Sequence, residues 1–225
     1  GTYILMETQV KENSFSWSPW FEMANFSLFE KDTVYQRKSG AVGRVKEDEL
    51  RLRKPVRQFR YRVTLQTKDS TLTPTLRLVG ISYADTKNKI PVHDELTIPK
   101  DTTAPLPDWV RDLDVPWRSQ TVLPKEIAGS ACHPTSLSMV LEFYGTNLPT
   151  TEVAENVWDP VNEIFGNWIF NSGYASSLGY RSYVVRWGSF DDIKKQIAKG
   201  YPAIISIAFK RDTLTGSPIH GSSGH

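Results

Sequence analysis

The chain has little of several residues and patterns on which whole classes of protein depend. Its 225 residues include one cysteine, so no internal disulfide can form and a thiolate zinc site lacks ligands. No run of about 18 apolar residues is present, which argues against a membrane-spanning helix. A net charge of +2 without a basic, aromatic-interleaved stripe argues against nucleic acid as a partner. The hydrophobic share of 39% and the charged share of 23% are typical of a soluble globular protein.

Residues 1–85 carry the pattern of an all-β domain. Apolar and polar side chains alternate over 57–66, a period of two that buries one face of a strand and wets the other. Shorter strands are predicted over 49–53 and 75–83, with a turn at Asp69 before the last one. Several short strands at regular spacing predict a β-sandwich.

A second domain is predicted to follow a linker. Residues 86–112 contain scattered prolines among polar residues, as a semi-rigid linker does. Residues 113–225 then mix helical and strand patterns. Helices are predicted from Cys132 to a terminating Gly145, over 167–178 before Gly179, and from a capping box at Ser189 and Asp192 to Gly200, with strands over 180–187 and 201–208.

Cys132 is the first candidate for chemistry. It lies in a turn of glycine and serine just before an amphipathic helical pattern. The unpaired N–H groups and positive dipole at a helix N-terminus stabilise a thiolate, which is the nucleophilic form of cysteine. Pro134 in the first turn costs nothing, because its missing N–H would have had no partner. A solitary cysteine is usually a small buried hydrophobe, but this position favours a nucleophile.

A thiolate that attacks a carbonyl also needs a base and hydrogen-bond donors for the oxyanion. Gln120, twelve positions before Cys132, can supply a side-chain amide if the loop between them folds back, and the Cys132 N–H can supply the second donor. Four histidines compete for the role of base, namely His93, His133, His220 and His225. His93 falls in the linker and His133 is next to Cys132 along the backbone. Spacing alone leaves His220 and His225 open.

Four separated motifs in the second domain resemble a known family. They are Val115-Pro116 through Gln120, Cys132-x-Pro134-Thr135-Ser136, Ile197-x-x-Gly200-Tyr201-Pro202, and Ser223-Gly224-His225. In this order they resemble the papain-like bacterial cysteine peptidases, especially those that process double-glycine leader peptides and their free-standing, often secreted cousins. The resemblance covers residues 113–225 and implies an α+β papain-like peptidase domain.

The resemblance also implies the roles of single residues. Cys132 is the expected nucleophile, Gln120 the oxyanion donor and His225 the base, with no cofactor. The aspartate or asparagine that orients the histidine is expected beyond His225, so we expect the domain to be truncated at its C-terminus. The family usually has glycine after the cysteine, whereas this chain has His133, which we expect to narrow the cleft. The implied substrate is a peptide or protein, and the implied location is extracellular or in the cell envelope.

A second, weaker resemblance concerns the N-terminal domain. The segment from Ser16 to Phe21 contains Trp17 and Trp20 and is similar to the tryptophan-rich segment of β-sandwich modules that precede such peptidase domains in secreted bacterial proteins. Exposed tryptophans would stack on cell-envelope carbohydrate, whereas buried ones would belong to the core. The sequence leaves both open.

The sequence therefore predicts a cysteine peptidase that acts through a thioester intermediate. Two alternatives remain open. One is a catalytically degenerate peptidase fold, with the pocket blocked by His133, that binds a peptide or a cell-envelope glycan without cutting it. The other keeps the thioester chemistry but acts as an amidase or a transglutaminase-like acyl transferase.

Overall fold

The computed structural model describes residues 1–11, 13, 15–27, 39–47, 49–85, 105–216 and 219–222. By their contacts the residues form two units, of which the first is Gly1–Asn88 with Thr151–Arg186 and the second is Lys89–Thr150 with Trp187–His225. Most of the predicted linker, residues 86–104, lies outside the described residues. The domain boundaries deduced from the sequence stay a prediction.

Among the described residues, the N-terminal part of the first unit contains five strands. β1 (Thr2–Val10), β2 (Phe21–Phe26) and β5 (Phe59–Thr67) form an antiparallel sheet in the order β2-β1-β5. β3 (Gly43–Lys46) and β4 (Glu49–Leu52) form a separate antiparallel hairpin, which contacts β2. The strands predicted over 57–66 and 49–53 are therefore confirmed, with small shifts at their ends.

The structure supports part of the predicted β architecture and contradicts three of the predicted strands. The strand-rich character of the N-terminal part is confirmed, whereas a sandwich of two facing sheets stays a prediction. The strands predicted over 75–83, 180–187 and 201–208 are wrong, because the structure has no strand at any of the three. In the first unit, Ser82 Oγ donates to the Val184 carbonyl at 3.1 Å, so two of these segments touch through a side chain instead.

Two helices of the first unit follow in the chain. They are α3 (Thr150–Val157), whose first residue belongs to the second unit, and α4 (Trp168–Ser177). α4 packs on β2 through an edge-to-face contact of Phe26 and Phe170, with ring centroids 5.5 Å apart. Gly173 allows this approach, because a Cβ there would lie 3.2 Å from the Phe26 ring. Gly179 has a φ of +95°, as predicted for the residue that ends this helix.

A fully buried carboxylate organises the loop between α3 and α4. Asp159 is 0% exposed, and its Oδ1 accepts hydrogen bonds from the backbone N–H groups of Val161 and Asn162. Its Oδ2 accepts from the side-chain amides of Asn162 at 2.5 Å and of Asn167 at 2.7 Å. This holds the Asn167 amide so that its oxygen caps α4, where it accepts from the N–H groups of Ile169 and Phe170.

Replacing Asp159 with asparagine is expected to lower the free energy of unfolding by about 3 kcal/mol, because an amide group would then face buried donors. Urea unfolding followed by circular dichroism measures the loss. Asp191→Asn is the matched control, since Asp191 is 56% exposed and pairs with Lys194 on the surface of a helix. That change is expected to cost less than about 0.5 kcal/mol. Equal losses in the two variants would contradict the role given to Asp159.

The tryptophan-rich segment is stacked against arginine side chains of β5. The Arg60 guanidinium lies 4.4 Å from the centroid of Trp17 and 5.5 Å from that of Trp20, and Arg62 lies 4.3 Å from Trp20. Arg62 is in turn paired with the buried carboxylate of Glu7, whose hydrogen bond raises the pKa of the Arg62 guanidinium. Both rings are half-buried, with guanidinium groups over them, and carbohydrate binding there stays a prediction.

Helices are the regular secondary structure of the described part of the second unit. It contains a 3₁₀ turn (Gln120–Val122), α1 (Lys125–Ala128), α2 (Cys132–Phe143) and α5 (Phe190–Ala198). Gly145 and Gly200 have positive φ angles of 94° and 80°, which confirms the predicted ends of two helices. The predicted capping box is wrong, since the Ser189 side chain makes no cap bond. The Asp192 carboxylate instead accepts from the Gly188 N–H at 3.2 Å.

Residues 204–208, expected to form a buried strand, are exposed at the surface of the described part of the second unit. Ile204, Ile205 and Ile207 are 36%, 48% and 38% exposed. Nowhere in the described ranges is there a helix long and apolar enough to cross a membrane. The same residues include no group of three or more histidine, cysteine or acidic side chains placed to hold a metal ion.

Candidate functional site

Cys132 is the first residue of α2, as the sequence predicted for this helix. It is a free cysteine and is half-exposed, so it is not the fully buried small hydrophobe that a solitary cysteine often is. The first turn of α2 contains no aspartate or glutamate, so no carboxylate there opposes the positive end of the helix dipole. The thiol therefore lies at a helix N-terminus, where a reactant can reach it.

The peptide group between Ala131 and Cys132 is held by one side chain of the helix. The Ala131 carbonyl accepts two hydrogen bonds from Thr135, one from its backbone N–H at 3.0 Å and one from its hydroxyl at 2.7 Å. In a trans peptide the carbonyl and the N–H point in opposite directions. The Cys132 N–H therefore points away from the helix body, and no acceptor for it exists among the described residues.

Gln120 lies in the 3₁₀ turn, and its side chain folds back onto the loop before Cys132. Its Nε2 donates to the Ala128 carbonyl at 2.9 Å, at the end of α1 where a carbonyl lacks a partner within the helix. The Gln120 side chain thus contacts the loop before Cys132, and its oxyanion role stays a prediction. A side-chain amide has two N–H groups. Within the described ranges, Ala128 is the one acceptor that the Gln120 amide finds.

Arg118 links the segment that contains Gln120 to the C-terminal end of α2 through hydrogen bonds. Its Nε and one terminal nitrogen donate to a single Glu142 oxygen at 3.1 and 2.5 Å. Its remaining bonds go to the Leu148 carbonyl at 2.5 Å and to Asn147 Oδ1 at 2.8 Å. Both charged side chains are mostly buried, at 18% and 27% exposed. Such charge-assisted bonds fix position as well as adding stability.

The four histidines have different outcomes. His225 and His93 lie outside the described residues. The pairing of Cys132 with His225 therefore stays a prediction. His133 is the second residue of α2 and is half-buried. His220 is 81% exposed at its side chain, and its Nδ1 lies 2.9 Å from Asp212 Oδ1. A carboxylate against a ring nitrogen is the arrangement that fixes a catalytic imidazole, so His220 needs an explicit test beside His225.

The hairpin that carries His220 is closed by backbone bonds. Phe209 and Ser222 exchange N–H···O bonds of 2.9 and 3.0 Å, and the Asp212 N–H donates to the His220 carbonyl at 2.8 Å. Asp212 has a φ of 58°, in the left-handed region, which turns the chain back at this point. The chain thus returns alongside Phe209 before it reaches the last motif.

The sequence did not predict the side-chain bonds that Arg118 and Thr135 make near the site. The signals for them were weak. An arginine two positions before Gln120 has no obvious acceptor until Glu142 is brought near it, 24 residues later. A threonine four residues after Ala131 is compatible with an ordinary helical hydroxyl that bonds the preceding turn.

Two family models match this sequence. Residues 1–84 match the Peptidase C39 N-terminal domain, and residues 112–225, just over half of the chain, match the Peptidase_C39 like family. Searches among curated proteins and among solved structures found no match. The matched range of the second family contains Gln120, the loop that its amide closes, and the cysteine at the start of α2. This chain therefore belongs to the Peptidase_C39 like family.

Proposed function

We propose that the chain hydrolyses peptide bonds through a thioester on Cys132, with Gln120 and the Cys132 N–H as oxyanion donors and His225 as base. Family membership supports a cysteine-peptidase-type function and peptide substrates. The observation that carries the proposal is the accessible thiol at the N-terminus of α2, next to an N–H that has no described acceptor. The role of His225 and an extracellular or cell-envelope location rest on the motif resemblance.

Each step of the proposed reaction has a group to perform it. The Cys132 thiolate attacks the scissile carbonyl carbon, and the carbonyl oxygen becomes an oxyanion between the Gln120 amide and the Cys132 N–H. The carbon–nitrogen bond breaks as the His225 imidazolium gives its proton to the leaving amine, which leaves a thioester. Water then loses a proton to His225 and attacks the thioester carbon. The carbon–sulfur bond breaks to release the carboxylate and restore the thiolate.

The reactivity of the thiol tests the first step. At pH 6.5 Cys132 is expected to react with iodoacetamide at least about tenfold faster than glutathione does, because the proposed base His225 activates the thiol. Mass spectrometry follows the added carbamidomethyl group. Cys132→Ser is the control that locates the reaction, since Cys132 is the single cysteine of the sequence. A rate equal to that of glutathione would contradict an activated nucleophile.

The products distinguish peptide hydrolysis from the related reactions. A defined peptide mixture incubated with the chain is expected to yield new amino termini at preferred positions, all of them lost in Cys132→Ser. Release of ammonia from glutamine side chains, or transfer of the acyl group to an added amine without new termini, would favour an amidase or an acyl transferase. Binding of peptides by an unreactive thiol would favour the degenerate, non-catalytic alternative.

A further inference from the structure

A buried hydroxyl lies directly behind the peptide group that the proposed reaction uses. Thr135 is 5% exposed, and its hydroxyl donates to the Ala131 carbonyl at 2.7 Å, a shorter contact than the 3.0 Å from its own backbone N–H to the same oxygen. A carbonyl oxygen has two lone pairs, so both bonds form at once. The peptide plane between Ala131 and Cys132 is thereby held from two directions.

Two further buried hydroxyls lie nearby, and they bond each other and the Thr135 carbonyl but not the Thr135 hydroxyl. Ser138 is 0% exposed, and its Oγ donates to the Thr135 carbonyl at 2.7 Å. Its Oγ also lies 3.0 Å from the hydroxyl of Thr150, which is 8% exposed. Because the single hydroxyl proton of Ser138 goes to Thr135, Thr150 is the donor in that contact. Of these three hydroxyls, that of Thr135 alone bonds the Ala131 carbonyl.

From this geometry we infer that Thr135 is a positioning residue for the reaction, whose hydroxyl fixes the Cys132 N–H in the direction in which it meets the oxyanion. The inference rests on the proposed function, because the N–H has this role only if a tetrahedral intermediate forms on Cys132. A donor helps a developing oxyanion most when its direction is set before the reaction, since no reorganisation is then needed. Thr135 acts through the peptide group and does not touch the substrate.

Thr135→Val removes the hydroxyl and keeps the branched shape. The Ala131 carbonyl retains its bond from the backbone N–H of residue 135, so the helix start stays paired. We expect kcat for peptide hydrolysis to fall about tenfold to thirtyfold with KM nearly unchanged, a part of the loss that removing a whole oxyanion donor causes. Thr135→Ser, which restores a hydroxyl, is expected to recover most of kcat.

Two probes of Cys132 separate positioning from a general loss of structure. A peptide aldehyde adds to the thiol to form a hemithioacetal whose oxygen occupies the oxyanion position, so its inhibition constant is expected to rise about tenfold in Thr135→Val. Iodoacetamide forms a carbon–sulfur bond with loss of iodide and makes no oxyanion. Its rate is therefore expected to stay within about twofold of the unsubstituted chain.

Ser138→Ala is the matched control, because it removes a hydroxyl of the same helix that does not bond the Ala131 carbonyl. Its kcat and its aldehyde inhibition constant are expected to change much less than those of Thr135→Val. Equal aldehyde affinity in Thr135→Val and the unsubstituted chain, with active enzyme in both, would overturn the inference and leave the proposed function standing. An unsubstituted chain that neither hydrolyses peptides nor binds the aldehyde would overturn both.

Discussion

Replacing His225 with alanine is expected to lower kcat/KM for peptide hydrolysis about 10⁴-fold, whereas His220→Ala leaves it within about threefold. Loss of the base from a nucleophile–base pair has consequences of this size, because the base takes part in both acyl-transfer steps. Steady-state hydrolysis of one peptide cleaved by the unsubstituted chain gives the two values. The pH dependence of kcat/KM provides a second measure, since its alkaline limb reports the imidazolium that protonates the leaving amine.

His220→Ala is a matched control for His225→Ala, because both remove a histidine from the same end of the chain. His220 is five positions before His225, and it holds the Asp212 carboxylate at 2.9 Å, as an oriented catalytic base would. If His220 is the base instead, His220→Ala causes the large loss, and Asp212→Asn also lowers kcat by disturbing the ring orientation. That pattern would contradict the assignment of His225 and would make the Asp212–His220 pair the base and its orienter.

Gln120→Met is expected to lower kcat about 10²-fold to 10³-fold, which is the cost of losing one oxyanion donor. Methionine is unbranched and of similar length but has no N–H to donate. KM is expected to change little, and the rate of Cys132 alkylation by iodoacetamide to stay within about threefold, because that reaction forms no oxyanion. Steady-state and alkylation kinetics on the same preparations give these values.

Gln196→Met is the control for Gln120→Met, since Gln196 is also half-buried and lies in α5 of the same unit. It is expected to leave kcat within about twofold. The loss of the bond to Ala128 in Gln120→Met adds a modest cost in stability, of about 1 kcal/mol, which thermal unfolding reports separately. A kcat within threefold of the unsubstituted chain would remove Gln120 from the oxyanion site.

Local patterns in the sequence predicted α2 and α5 of the second unit well, but not α1. The start of α2 at Cys132 and its end before Gly145 follow from amphipathic spacing and from the need for a left-handed residue after a helix. The alternation over β5 predicted that strand equally well. In each of these the deciding interactions lie within a few residues of one another along the chain.

What the sequence could not give depends on residues that are distant along the chain. The apolar run over 201–208 predicted a buried strand, but a strand needs a partner to complete its hydrogen bonds, and composition does not supply one. The Asp159 cluster joins side chains that look like ordinary loop residues in the sequence. The bond from Gln120 to the Ala128 carbonyl joins residues eight positions apart, and no local pattern in the sequence predicts it.

The bonds of Arg118 have a consequence for how the candidate site responds to thermal motion. The guanidinium ties the backbone just before Gln120 to Glu142 in the helix that starts with Cys132. Eleven residues of loop and short helix separate the glutamine from the nucleophile along the chain, and these bonds join the two by a second path through Glu142 and the body of α2. We therefore expect motion of the loop between Gln120 and Cys132 to change the loop surface more than the distance between these two side chains.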